Sequence, residues 1–238
     1  MIKKCVLIIC GLVLTGTLAF GQEKDLNPKM DSTGKIVCGA KSIWFKKGYA
    51  QIEMAIGTKI KLTGFSLFNF GKAWINSCFF INKKKTTKNN RISWTSDIIA
   101  ARGGKEIIGQ YIVSLVIQKD NLIKISHRYK LKPGIKAKSG SFYLDNIGKE
   151  KLSGYYNVKD RSAKFESTKF DKMLSGSGGN FTFFPNDPAK RFRMIPKVYS
   201  RAVIKGTGGR ISLSPKDGNI EFLLDMNPQI QSPSKDKK

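Results

Sequence analysis

The chain has 238 residues, with 43 lysines and arginines against 17 acidic residues, a formal net charge of +26. A charge of that size bears on partners and solubility and not on fold. One histidine and four cysteines, two of them inside the first ten residues, leave too few ligands for a four-coordinate zinc site.

The amino terminus reads as an export signal. Met1-Ile2-Lys3-Lys4 is basic, Cys5 to Leu14 is apolar, and small residues lead to Gly21. The apolar run is shorter than the roughly 20 residues of a spanning helix. Ala19 and Gly21 suit the positions before a cut, which places residues 1–21 in a cleaved signal and the mature protein in the periplasm or the medium. Lys3 and Lys4 leave with it, so the mature charge is +24. The 217 residues that remain fit one domain with a substantial core. Cys38 and Cys78 are then the surviving cysteines, expected as one disulfide in an oxidising compartment. Such a crosslink would contribute about 4 kcal/mol in the chain-entropy picture.

Residues 22–34 are polar and are expected as a flexible leader, followed by a folded domain over 35–228 and a disordered basic tail over 229–238. From Lys35 onward the apolar period is two. Ile52, Met54 and Ile56 alternate with Gln51, Glu53 and Ala55. The run Ala73–Ile81 is apolar on both faces and predicts a central strand. Lys83, Lys84 and Lys85 with Lys88 and Arg91 predict a loop.

Tyr111, Val113, Leu115 and Ile117, a Lys119-Asp120-Asn121 turn, and then Ile123, Ile125, His127 and Tyr129 predict an antiparallel hairpin. Further strands are expected at Ser141–Asp145, Ala163–Ser167, Asn180–Phe184, Ala202–Lys205 and Ile220–Leu224. No long amphipathic helix is visible. Many short strands with turn signals between them predict an all-β, antiparallel β-sandwich in a single domain.

Candidate chemistry is sparse. His127 shares a strand face with Ile123, Ile125 and Tyr129, which predicts a hydrogen-bonded core histidine. No Gly-x-Ser-x-Gly elbow accompanies it, and neither Gly-rich stretch, 175–179 or 206–209, ends as a P-loop does. Glu53, Asp97, Glu106, Asp145, Glu166 and Glu221 are the carboxylates that could pair for glycoside hydrolysis.

The basic residues cluster. Lys124, Arg128 and Lys130 share a strand face opposite His127, and Arg191 and Arg193 belong to a second group with Lys197 and Arg201. Such cations can grip carboxylate or sulfate groups. Among the aromatics, Trp94 follows Arg91 in a polar context and is the expected stacking platform for a sugar ring. The candidate ligand-binding residues are therefore Trp94, Arg91, Lys124, Arg128, Lys130, Arg191 and Arg193, with no metal and no cofactor. The absence of ribonucleoprotein and zinc-finger signatures, together with export, weighs against nucleic acid as the partner.

The rhythm of Gly109–Tyr129, followed by Ser141-Phe142-Tyr143-Leu144-Asp145 and Gly154-Tyr155-Tyr156, resembles the β-sandwich modules of secreted bacterial carbohydrate-active proteins, of the galactose-mutarotase-like supersandwich kind. The resemblance covers about half of the chain and brings no catalytic motif. It implies a sugar-associated domain. The expected function is a secreted protein that binds acidic or sulfated glycan. A glycan hydrolase or lyase, and an envelope protein in a structural or interaction role, are the alternatives.

Overall fold

The computed structural model describes residues 26–46, 51–69, 74–75, 80–101, 103–136, 139–148, 150–158, 161–166, 179–198, 201–205 and 210–229. The expected signal and nearly all of the expected tail lie outside them. No helix occurs among the described residues.

The chain forms β1 (Lys29–Met30), β2 (Ile36–Cys38), β3 (Lys41–Phe45), β4 (Ile52–Ile56), β5 (Ile60–Asn69) and β6 (Trp74–Ile75), then β7 (Phe80–Lys88), β8 (Arg91–Ile99), β9 (Ile107–Ile117) and β10 (Ile123–Leu131). There follow β11 (Ser139–Asn146), β12 (Ser153–Val158), β13 (Arg161–Glu166), β14 (Asn180–Phe183), β15 (Phe192–Val198), β16 (Arg201–Lys205), β17 (Arg210–Ser214) and β18 (Asn219–Asp225). Two antiparallel nine-stranded sheets result. The first runs β1-β2-β3-β4-β5-β11-β17-β16, with β6 on β5; the second runs β13-β12-β14-β15-β18-β10-β9-β8-β7. The protein is an antiparallel β-sandwich.

Side-chain alternation explains why the sheets pack face to face. Ile43, Ile52, Met54, Ile56, Leu62, Phe142, Leu144, Ile211 and Leu213 of the first sheet meet Ile92, Ile98, Tyr111, Val113, Leu115, Ile125, Phe181, Phe183, Met194 and Phe222 of the second in one buried cluster. Each fully buried Ile, Leu or Phe stabilises the fold by about 1.5–3 kcal/mol. The expected hairpin is β9 and β10, in register from Ile117↔Ile123 to Gly109↔Leu131. Asn121 turns it at φ 60°. A tighter turn carries the chain from the first sheet to the second. Asp217 and Gly218 both have positive φ (50° and 74°), and Lys216 and Asn219 exchange two 2.9 Å backbone hydrogen bonds around them.

Several expectations are corrected. Lys29–Met30, inside the expected flexible leader, pairs with β2. The next turn is tied by the Asp31 carboxylate, which accepts from the Thr33 and Lys35 amides at 2.9 Å. The lysine run read as a loop is the edge strand β7, paired with β8. Lysines on an edge strand discourage pairing with a second chain. The run read as one central strand is divided between two sheets: Trp74–Ile75 pairs with β5 and Phe80 begins β7.

The strand β15 had no expectation at all. Pro196 and its basic residues hid an alternation in which Phe192, Met194 and Pro196 are buried, and the ladder shifts register between Pro196 and Val198.

Cys38 is buried, and its Sγ lies 2.6 Å from the Leu26 carbonyl oxygen. Among the described residues there is no disulfide; Cys78, the other half of the expected crosslink, lies outside them.

Candidate functional site

The second sheet sorts the expected ligand-binding residues by strand parity. Along β8, Ile92, Trp94, Ser96 and Ile98 oppose Leu115, Val113, Tyr111 and Gly109 of β9, whereas Arg91, Ser93 and Thr95 oppose Val116, Ser114 and Ile112. Trp94 thus faces the sandwich interior and Arg91 faces outward. The two residues expected to cooperate stand on opposite faces of one strand.

Lys124, Arg128 and Lys130 alternate with the buried Ile123, Ile125 and His127 and share the outer face with Arg91. Arg91, Lys124 and Arg128 border one shallow groove. Arg191 and Arg193 do not join it. Arg191 donates from Nε to the Pro185 carbonyl at 2.9 Å, and Arg193 is bound to Asp225 at 2.8 Å. These two arginines hold the β14–β15 connection and the end of β18.

Trp94 instead borders a cleft where the two sheets meet at the β2–β3 and β7–β8 ends. Thr33, Gly34, Lys35, Trp44, Phe45, Lys85, Ile92 and Trp94 line an open cavity of about 450 Å³. Trp44 and Trp94 are each half-buried. The Trp94 indole N–H is buried and has no hydrogen-bond partner, so the part of Trp94 that reaches the surface is ring carbon. The Lys35 ammonium sits 4.9 Å from the centre of the Trp44 ring, a cation–π contact. Lys85 Nζ donates to the Thr33 carbonyl at 2.7 Å, which ties the edge strand of the second sheet to the β1–β2 turn of the first.

Gly34, at φ 84°, allows that approach: a Cβ there would stand 2.4 Å from Ile92 Cδ1. Among the described residues no carboxylate lines the cleft. It offers two indoles, two ammonium groups and no acid to neutralise them.

The elements expected for catalysis lie elsewhere. His127 is buried at 2 % exposure. Its Nδ1 is 2.5 Å from the Tyr111 hydroxyl and 3.2 Å from Ser66 Oγ, and those two oxygens are 2.9 Å apart. Burial pulls the His127 pKa down to about 3 and pushes the Tyr111 phenol up. A histidine beside a tyrosine could serve a lyase, but this pair is sealed between the sheets and no substrate reaches it.

Of the carboxylates, Glu53 and Asp145 both oppose Thr63 of β5, one from each side. Their Cα atoms are therefore about 10 Å apart, two strand spacings. Asp145 is gripped by Arg210 through Nε at 2.6 Å and a terminal nitrogen at 2.8 Å, while Lys61 lies 3.9 Å from the buried Glu53. Asp97 accepts from Asn82 at 2.7 Å and Glu221 pairs with Lys124 at 3.3 Å. Glu106 is exposed, and the Glu166 side chain is outside the description.

Trp44, itself one of the aromatics that could offer a flat face to a sugar ring, joins Trp94 here, and Lys35 and Lys85 complete a site whose cations were not expected. The signal was present: the alternation Ile92-Trp94-Ser96-Ile98 turns Trp94 inward, toward whatever the facing sheet brings. Comparison with models of known protein families finds no match for this chain, and a search of curated proteins finds none either.

Proposed function

We propose that this is an exported protein that binds an acidic glycan, seating a sugar ring in the cleft bordered by Trp44 and Trp94. The observation that carries this reading is the meeting of two half-buried indoles and two ammonium groups in one cavity without a carboxylate. Ring carbon suits the C–H face of a pyranose, and Lys35 and Lys85 suit a carboxylate or sulfate on that ring. The size, about 450 Å³, fits one or two sugar units. The resemblance to supersandwich modules of carbohydrate-active proteins belongs to the same proposal. No catalytic role is assigned.

The test is retention on affinity gels of polyuronic, sulfated and neutral glycan. Acidic gels should retard the protein, neutral gels should not, and retardation should fade as salt rises from about 0.05 to 0.5 M. Equal retention on neutral and acidic gels would overturn the reading.

A further inference from the structure

The outer face of the second sheet carries a separate feature, built by register. Three rows cross β8, β9 and β10 there. Arg91, Val116 and Lys124 form the first; Ser93, Ser114 and Ser126 the second; Thr95, Ile112 and Arg128 the third. Adjacent strands stand about 4.8 Å apart and successive rows about 7 Å apart. Three serine hydroxyls thus lie side by side, with an arginine and a lysine at the two ends of the row on one side and an arginine at the end of the row on the other.

Arg91, Ser114, Lys124, Ser126 and Arg128 border a groove of about 270 Å³ whose apolar walls are Ile112 and Val116, and Ser93 and Thr95 lie beside it on the same face. None of the three serines has a hydrogen-bond partner among the described residues, and Arg91 makes no ion pair there. Arg128 spends its Nε on Asn219 Oδ1 at 2.9 Å, which leaves its two terminal nitrogens for a ligand. The one acid at the groove among the described residues is Glu221, opposite Ser126 in the serine row and 3.3 Å from Lys124 Nζ.

We infer that this groove binds a tetrahedral oxyanion, the sulfate or phosphate group of an ester, with the Ser114 and Ser126 hydroxyls and the Arg91 and Arg128 guanidinium groups as donors. The groove's hydroxyls, guanidinium groups and ammonium supply donors on several sides of a small site. A tetrahedral anion presents three or four oxygens to donors set around it, whereas a carboxylate presents two in one plane and meets fewer of them. Glu221 orients Lys124 and sets the closed side of the groove. The site shares no residue with the tryptophan cleft and goes beyond the glycan reading.

The experiment is an amide-shift NMR titration of the whole mature protein with sodium sulfate, sodium phosphate and sodium acetate at fixed ionic strength. Sulfate or phosphate should shift the amides of β8, β9 and β10 saturably, and acetate should not. Arg128→Ala should weaken binding about tenfold, and Ser126→Ala by about two- to tenfold. Both changes are on an exposed face and leave the core intact. Trp94→Ala should leave the oxyanion titration unchanged, which separates this site from the cleft. Stronger binding of sulfate points to sulfated glycan as the source, and of phosphate to a phosphoester; either supports the site. Equal shifts with acetate, no saturation, or indifference to Arg128→Ala and Ser126→Ala would overturn it.

Discussion

The Tyr111 hydroxyl and His127 Nδ1 lie 2.5 Å apart between the sheets, and Ser66 of the opposite sheet lies within 3.2 Å of the same nitrogen. Around them are rings: Phe80 stacks on Tyr111 at 4.6 Å, and Phe142 lies 4.4 Å from His127 and 5.3 Å from Phe222. This polar trio is a hydrogen-bonded link between two largely apolar inner faces. Its wet alternative is the unfolded chain, so its protonation is coupled to folding.

Acid should therefore weaken the fold through His127. The folded-state pKa is lowered to about 3 from 6.5 by burial, so between those values the unfolded chain binds the extra proton. Stability from this group is complete above pH 6.5 and declines as pH falls toward 3. Between pH 7 and pH 5 the loss is about 2 kcal/mol. Urea denaturation at the two pH values should show it in the wild type, and His127→Gln should show a smaller difference. A pH dependence identical in the two proteins would contradict the assignment.

Lys41 should be more important than its charge suggests. It is buried on β3, and its ammonium donates to the carbonyl of Met226 at 2.5 Å and of Pro188 at 3.3 Å, so it fastens the first sheet to segments flanking the second. Burial holds its pKa below the usual lysine value. Lys41→Met keeps the stem and leaves those acceptors unpaired. The expected cost is about 1–3 kcal/mol by equilibrium denaturation.

Gly64 sits where the core leaves no room for a side chain. A Cβ there would lie 2.8 Å from Phe142 Cζ. Gly64→Ala should push Phe142 toward His127 and cost about 1–3 kcal/mol, read as a lower melting temperature.

The Asp145–Arg210 pair gives the opposite case. Its two bonds are short, but the Arg210 side chain is 41 % exposed. Asp145→Asn should change stability by less than about 1 kcal/mol.

The strand rhythm was legible because alternation is a local property. Tyr111, Val113 and Leu115 against Ile123, Ile125 and His127 gave the central hairpin and its buried face. Lys83 to Lys85 misled because a lysine-rich edge strand and a loop share a composition; only pairing with β8 tells them apart. Phe192, Met194 and Pro196 misled because proline is rare in a strand away from an edge or bulge.

The site was half legible. Lys124, Arg128 and Lys130 could be placed on one face by parity, but Arg91 was expected in a loop, and its place beside them needs the order β8-β9-β10. Ser66 beside His127, and Lys35 and Trp44 in one cleft with Trp94, depend on how two sheets pack, and no local pattern carries that.

The tryptophan cleft is tested most directly by isothermal titration of wild-type protein, Trp94→Ala and Lys35→Ala with Lys85→Ala using a uronic-acid oligosaccharide. The wild type should bind saturably, and each variant should lose about tenfold or more in affinity. Circular dichroism would confirm that the variants remain folded. Unchanged affinity in folded Trp94→Ala protein would contradict the assignment of the cleft as the glycan site.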